Sequence, residues 1–255
     1  MNGLLTTHGL GKSYGGVQAV RGVDLSVAAG SIHSVIGPNG AGKTSLFNLI
    51  SGAIRPTTGR IAFAGQDITG LPAHRRAAIG LGRTFQNPAL FRGETVLENL
   101  LAGCHAGMRS DPLSALFALP RARRAEAKAR AGAEALIAWL DLARVRDVPV
   151  GSLAYGIQKR VELGRALAMR PRLLLLDEMV SGMNTEETAA IARLVLRINQ
   201  GLGITVLMIE HDMGIVMDIS DRITVLNFGE PIAEGVPAEV GADPRVIAAY
   251  LGAAA

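Results

Sequence analysis

The segment "GPNGAGKT" at residues 37–44 constrains this chain more than any other. It follows the apolar run "IHSVI" and precedes "SLFNLISG", so it reads as a strand, a glycine-rich turn and a helix in succession. Glycines at 37, 40 and 42 open backbone conformations that turn successive N–H groups inward onto an anion. A helix starting near Gly42 adds its positive N-terminal end. Lys43 supplies a point charge for the β- and γ-phosphates, the Thr44 hydroxyl suits Mg²⁺, and Ser45 stands one step along the same turn. The spacing predicts a nucleoside-triphosphate cradle made of Gly37, Pro38, Asn39, Gly40, Ala41, Gly42, Lys43, Thr44 and Ser45.

A second feature fits the first. "LLLLDE" at residues 173–178 is an aliphatic strand that ends in Asp177 and Glu178. Ligands of open α/β sheets bind at such strand ends. Asp177 is placed to hold Mg²⁺ through water, because Mg²⁺ keeps several of its waters. Glu178 is placed to polarise an attacking water. The two features together predict an ATP- or GTP-hydrolysing protein. The chain has no Asn-Lys-x-Asp segment to read guanine, which favours ATP.

Composition sets the remaining bounds. The chain has 255 residues, 49% hydrophobic but only 4% aromatic, so its core must be aliphatic. No run of about 18 apolar residues occurs, so no transmembrane helix is expected. The N-terminal stretch "MNGLLTTHGLGKSYGG" lacks the layout of a signal peptide. One cysteine, Cys104, rules out an internal disulfide, and a reduced, cytoplasmic setting is expected. The net charge is +4, and the densest basic run, "RARRAEAKAR" at 121–130, reads as a solvated helix face. With no aromatics interleaved to stack bases, no nucleic-acid partner is expected.

Strand-like runs appear toward both ends: "SIHSVIG" (31–37), "GRIAFAG" (59–65), "RLLLLDE" (172–178), "ITVLMIE" (204–210) and "RITVLNFGE" (222–230). Near-continuous aliphatic runs suit strands buried on both faces, and hence a mainly parallel sheet. Residues 92–165 read as helical, and Pro112 and Pro120 divide them into several helices. The fold class expected is α/β: a nucleotide-binding core from residues 1–91 and 166–255, with an all-helical lobe at 92–165 inserted into it.

With these residues in hand, the whole chain resembles an ATP-binding subunit of an ATP-binding-cassette (ABC) transporter. The resemblance implies a P-loop NTPase core with N-terminal antiparallel strands and an inserted helical lobe. It implies that Tyr14, in "GKSYGGVQAV", stacks on adenine. Gln86, in "GRTFQNP", would link nucleotide and Mg²⁺ to the lobe, and His211, in "LMIEHDM", would contact the γ-phosphate. The catalytic set implied is Glu178, His211 and Lys43, with Thr44, Gln86 and Asp177 toward Mg²⁺. The stretch "SLAYGIQKR" corresponds to the family signature, commonly L-S-G-G-Q. In the family that signature covers the ATP held by a second subunit, so Leu153, Ala154, Tyr155 and Gly156 are implied to bind ATP in trans.

Some positions depart from the family pattern. Ala154 replaces a serine, Tyr155 a glycine and Ile157 a glutamine, while Met179 stands where proline is usual and Asn184 where aspartate is usual. The Tyr-Gly pair, "IEHDM", "SGMNTEET" and the tail "GEPIAEGVPAEV" resemble the ATPases of branched-chain amino acid importers. That group implies two membrane-spanning permease subunits, a second ATPase subunit (homo- or heterodimer) and indirectly a solute-binding protein. It places the chain at the cytoplasmic face of the cell membrane. Lipopolysaccharide-export ATPases are a related alternative, but they more often keep Ser-Gly-Gly in the signature. A soluble ABC ATPase acting on nucleic acid usually carries a long coiled coil or two cassettes, and neither is present here.

Overall fold

A computed structural model describes residues 3–84, 89–106 and 120–251. The chain divides into two compact units, one within Met1–Arg83 and Arg172–Ala255, the other within Thr84–Pro171.

The first unit holds two sheets. Strands β1 (Leu5–Tyr14), β2 (Val17–Val27), β4 (Thr58–Phe63) and β5 (Gln66–Asp67) form an antiparallel sheet in the order β2-β1-β4-β5. The run "GRIAFAG" therefore belongs to this antiparallel sheet and not to the parallel one. The second sheet contains β3 (Ile32–Ile36), β6 (Leu81–Arg83), β7 (Leu173–Asp177), β8 (Thr205–Ile209), β9 (Arg222–Asn227) and β10 (Glu230–Gly235), in the order β10-β9-β3-β8-β7-β6. All its pairings are parallel except the β9–β10 hairpin. Every residue of β3, β7 and β8 is buried, as the aliphatic runs require of a sheet covered on both faces.

Helix α1 (Lys43–Ser51) shares one hydrophobic cluster with both sheets. Its Leu46, Phe47, Leu49 and Ile50 pack with Leu5, Val23 and Leu25 from one sheet and with Val35, Leu173, Leu175, Leu207 and Ile209 from the other. The strand contributors sit at alternate positions because strand side chains alternate between faces. The carboxyl end of α1 is held by Arg76 of helix α2 (Ala73–Ala78). This fully buried guanidinium donates to the carbonyls of Leu49, Ile50, Thr69 and Leu71. Burial drives its pKa down to about 10, with Asp67 opposing the shift.

The second unit is built from α3 (Val96–Ala106), α4 (Pro120–Trp139) and α5 (Tyr155–Ala168). Thr95 and Glu98 close a capping box at the start of α3. Pro120 opens α4, where its missing N–H costs nothing; Pro112 lies outside the described residues. The charged side chains of Arg123, Arg124, Glu126, Lys128 and Arg130 are exposed along α4, as a solvated face. A side chain at Gly103 would lie 2.3 Å from the Arg165 carbonyl, so this glycine is needed for close packing, whereas one at Gly164 would displace the methyl end of Leu140, 2.6 Å away.

The first unit continues with α6 (Thr185–Leu202), α7 (Met213–Ile219), α8 (Pro237–Ala242) and α9 (Pro244–Leu251).

Candidate active site

The glycine turn runs from the end of β3 into α1. Gly37, Gly40 and Gly42 all have positive φ, at 149°, 80° and 97°. A Cβ at Gly37 would sit 2.1 Å from the Leu226 carbonyl, and one at Gly42 would sit 2.2 Å from the Ala19 carbonyl. These two positions therefore need glycine for space as well as for conformation. Gly42 is the N-cap of α1 and adds no side-chain cap. The amides of Lys43, Thr44 and Ser45 begin the helix and have no intrahelical acceptor, which suits an anion. Pro38 shapes the turn by accepting from the Ala41 amide. Asn39, Gly40 and Thr44 are exposed, and Ser45 is half-buried.

Lys43 is 6% exposed, and its ammonium donates to the Gly37 and Pro38 carbonyls across 2.7 and 3.0 Å. Burial lowers its pKa, and the nearby charge of Glu178 opposes that shift. The structure thus brings the cradle lysine within electrostatic reach of the acidic strand end.

That strand end is β7. Asp177 closes the strand and is 4% exposed. Arg83, at the end of β6, donates to Asp177 Oδ2 across 2.9 Å, and also to Asn48 and Ser51 of α1 at 2.8 and 2.7 Å. Glu178 adopts a left-handed backbone with φ 47°, uncommon for a residue with a Cβ. Its Oε1 lies 2.7 Å from His211 Nε2. The Glu178 side chain is 14% exposed and that of His211 43%. Asn184 caps α6 through a capping box with Glu187, so its neutral amide serves the helix start. Met179 is buried beside the strand end.

Glu210 follows the last residue of β8, one residue before His211, and is 4% exposed. Its carboxylate accepts from the Val180 amide at 3.3 Å and also draws on the amides of Met179 and His211. Burial pushes its pKa up to about 7; the three amides oppose that shift and the neighbouring charge of Glu178 adds to it. Sequence reading passed over Glu210 and Arg83. The signal available for Glu210 was an acid closing a buried aliphatic strand, and for Arg83 a cation three residues before Gln86.

Tyr14 ends β1, is 49% exposed, and has the Lys12 ammonium 5.0 Å from its ring centroid. Gln86 lies outside the described residues.

In the second unit, Ala154 is the N-cap of α5 and makes no side-chain cap bond. Its carbonyl accepts from Ile157 and Gln158, and the Gln158 side chain donates to the Leu153 carbonyl at 2.8 Å. Tyr155 is exposed, with the buried Lys159 ammonium 5.7 Å from its ring. Gly156 follows in the first turn.

The donor set suits a magnesium nucleotide: first-turn amides and an ammonium for phosphates, with one carboxylate and one hydroxyl for a cation that keeps its waters. Among the described residues no group of three or more His, Cys, Asp or Glu gathers to hold a metal on its own, and no helix is long and apolar enough to cross a membrane.

Comparison with known proteins agrees with this geometry. A family model described as "ABC transporter" matches residues 20–181, and one described as "Branched-chain amino acid ATP-binding cassette transporter" matches residues 230–255. The chain is 43% identical over 251 residues to the high-affinity branched-chain amino acid transport ATP-binding protein BraF of Pseudomonas aeruginosa, covering 98% of both chains. It is 41% identical to LivG of Escherichia coli, a protein of the same description, again over 98% of both. Against the lipopolysaccharide export system ATP-binding protein LptB of Acidithiobacillus ferridurans it is 38% identical, over 99% of this chain and 98% of that one. Among solved structures, the ADP conformation of MJ1267, an ATP-binding cassette of an ABC transporter, superimposes with a TM-score of 0.85 at 34% identity, covering 98% of each chain. The glycine cradle, the acidic strand end and these full-length matches establish that the chain belongs to the ABC transporter family, as one of its ATP-binding, ATP-hydrolysing subunits.

Proposed function

We propose that this chain hydrolyses ATP to drive a membrane importer of branched-chain amino acids or related small polar solutes such as amides or urea. The contact that carries the hydrolytic reading is Glu178 Oε1 to His211 Nε2 at 2.7 Å, in the same unit as the cradle lysine. The match of the tail, residues 230–255, supports the solute class over lipopolysaccharide export.

In this reading the amides of the 37–45 turn and the Lys43 ammonium hold the β- and γ-phosphates, and Tyr14 stacks on the adenine. Thr44 and Asp177, together with Gln86, would hold Mg²⁺, which supplies charge neutralisation on the phosphates. Glu178 accepts a hydrogen bond from the attacking water and draws its proton away from the γ-phosphorus. His211 holds that carboxylate in place and reaches toward the γ-phosphate. The uncapped first turn of α5, with Leu153, Ala154, Tyr155 and Gly156, closes over the ATP of a second ATPase subunit. Two permease subunits complete the transporter, with a solute-binding protein delivering cargo and this chain peripheral at the cytoplasmic face.

The test is Glu178→Gln. The variant keeps ATP binding, while turnover falls by roughly 10²-fold or more. Wild-type turnover in Glu178→Gln would refute the assignment.

A further inference from the structure

Strands β7 and β8 run parallel, and their register ends at Asp177 opposite Ile209. The last bond between them runs from the Glu178 amide to the Ile209 carbonyl, at 3.0 Å. Beyond it the left-handed turn at Glu178 carries the chain off the ladder, yet Met179 and Val180 stay buried. Buried amides need acceptors, and no further β8 carbonyl continues the ladder to them. Glu210 supplies the acceptor with its side chain. Its Oε1 accepts from the Val180 amide, two residues after Glu178, at 3.3 Å, and the amides of Met179 and of His211, which follows Glu210 itself, favour its charged form.

We infer that Glu210 is a positioning residue for hydrolysis: its carboxylate clips the backbone carrying Glu178 to the backbone carrying His211. The inference rests on the proposed hydrolytic roles of Glu178 and His211. Glu210 is joined to His211 by the chain itself and holds the Val180 amide two residues beyond Glu178, so the clip sets the 2.7 Å separation of Glu178 and His211. Small displacements at a reacting centre are expensive; about 1 Å can cost roughly 10²-fold in rate.

The experiment compares Glu210→Ala, Glu210→Asp and Glu210→Gln for ATP turnover, ATP affinity and thermal unfolding. In Glu210→Ala, kcat falls about tenfold or more while ATP affinity stays within about twofold, because the cradle is untouched. In Glu210→Gln, whose side-chain oxygen still takes the Val180 amide at the same reach, kcat returns to within about threefold of wild type. Glu210→Asp keeps the charge but is one methylene short, so it stays slow; it also serves if the alanine variant does not fold. Combining Glu210→Asp with Glu178→Gln gives no further loss over Glu178→Gln alone, since both act on one step. Wild-type kcat in the aspartate variant overturns the proposal. So does a parallel loss of kcat and ATP affinity, which marks a purely structural role. Full turnover in Glu178→Gln alone instead overturns the hydrolytic reading beneath it, so the two failures are separable.

Discussion

Arg83 Nη2 donates to Asp177 Oδ2 across 2.9 Å, with both side chains at most 10% exposed. The same guanidinium reaches Asn48 and Ser51 of α1, so one side chain ties β6, β7 and the helix behind the cradle together. Removing one partner of a buried ion pair is costly. Arg83→Met should therefore lower unfolding stability by about 3–5 kcal/mol. Lysine should rescue it poorly, because an ammonium cannot match a fork spread over three acceptors. A wild-type urea midpoint in Arg83→Met would contradict this.

Lys43 turns onto carbonyls of its own loop, where its charge is held over the phosphate cradle. Lys43→Ala should weaken ATP binding by roughly 10- to 100-fold, the range for a lost charge-assisted contact. Titration with ATP measures it directly, and unchanged affinity would remove Lys43 from the site.

His33 lies fully buried in β3, with Nε2 2.8 Å from Thr224 Oγ1 and with no hydrogen-bond partner for Nδ1 among the described residues. Burial, aided by the charge of Arg222, lowers its pKa from 6.5 to about 4. Between those values the unfolded chain binds the proton and the folded chain does not. Stability is therefore complete above pH 6.5 and declines as pH falls toward 4, by about 3 kcal/mol for this group. His33→Asn, which cannot titrate, should show a flatter decline over that window. Parallel stability curves for the two proteins would count against His33.

Ala154 offers the N-terminus of α5 no side-chain acceptor. Ala154→Ser should raise the stability of the helical unit by about 1 kcal/mol, the usual difference between a serine and an alanine cap. Slower hydrogen exchange at Gly156 and Ile157 would mark the new cap. Unchanged exchange at both amides would show that the hydroxyl points elsewhere.

The parts of this site legible in the sequence were those written locally. The cradle announces itself because its glycines, lysine and threonine are fixed by the chain's own turn. Strands β3, β7 and β8 announce themselves because burial on both faces demands unbroken aliphatic runs. Strand β10 was hidden: "EPIAEG" carries a proline and two acids, which an edge strand tolerates. The expected run "RITVLNFGE" in fact breaks at Phe228 and Gly229, whose positive φ values turn the chain into that hairpin. Arg83 and Glu210 could not be assigned from neighbours in sequence, because their partners come from distant strands. Asp177 is brought to Arg83 by the β6–β7 pairing, and Val180 to Glu210 by the β7–β8 pairing.

The sheet order carries a consequence for biosynthesis. The N-terminal antiparallel strands β1, β2 and β4 are complete by Phe63, and a nascent chain can pair them early. Strand β3, which leads into the cradle, lies between β8 and β9, and β7 joins it only through β8. Until Thr205–Ile209 has left the ribosome, no strand lies between β3 and β7, and the phosphate turn meets the acidic strand end only through α1 and Arg83. Strands β3 and β7 thus come to share a neighbour only late in translation, when a single five-residue strand slots between two partners already made.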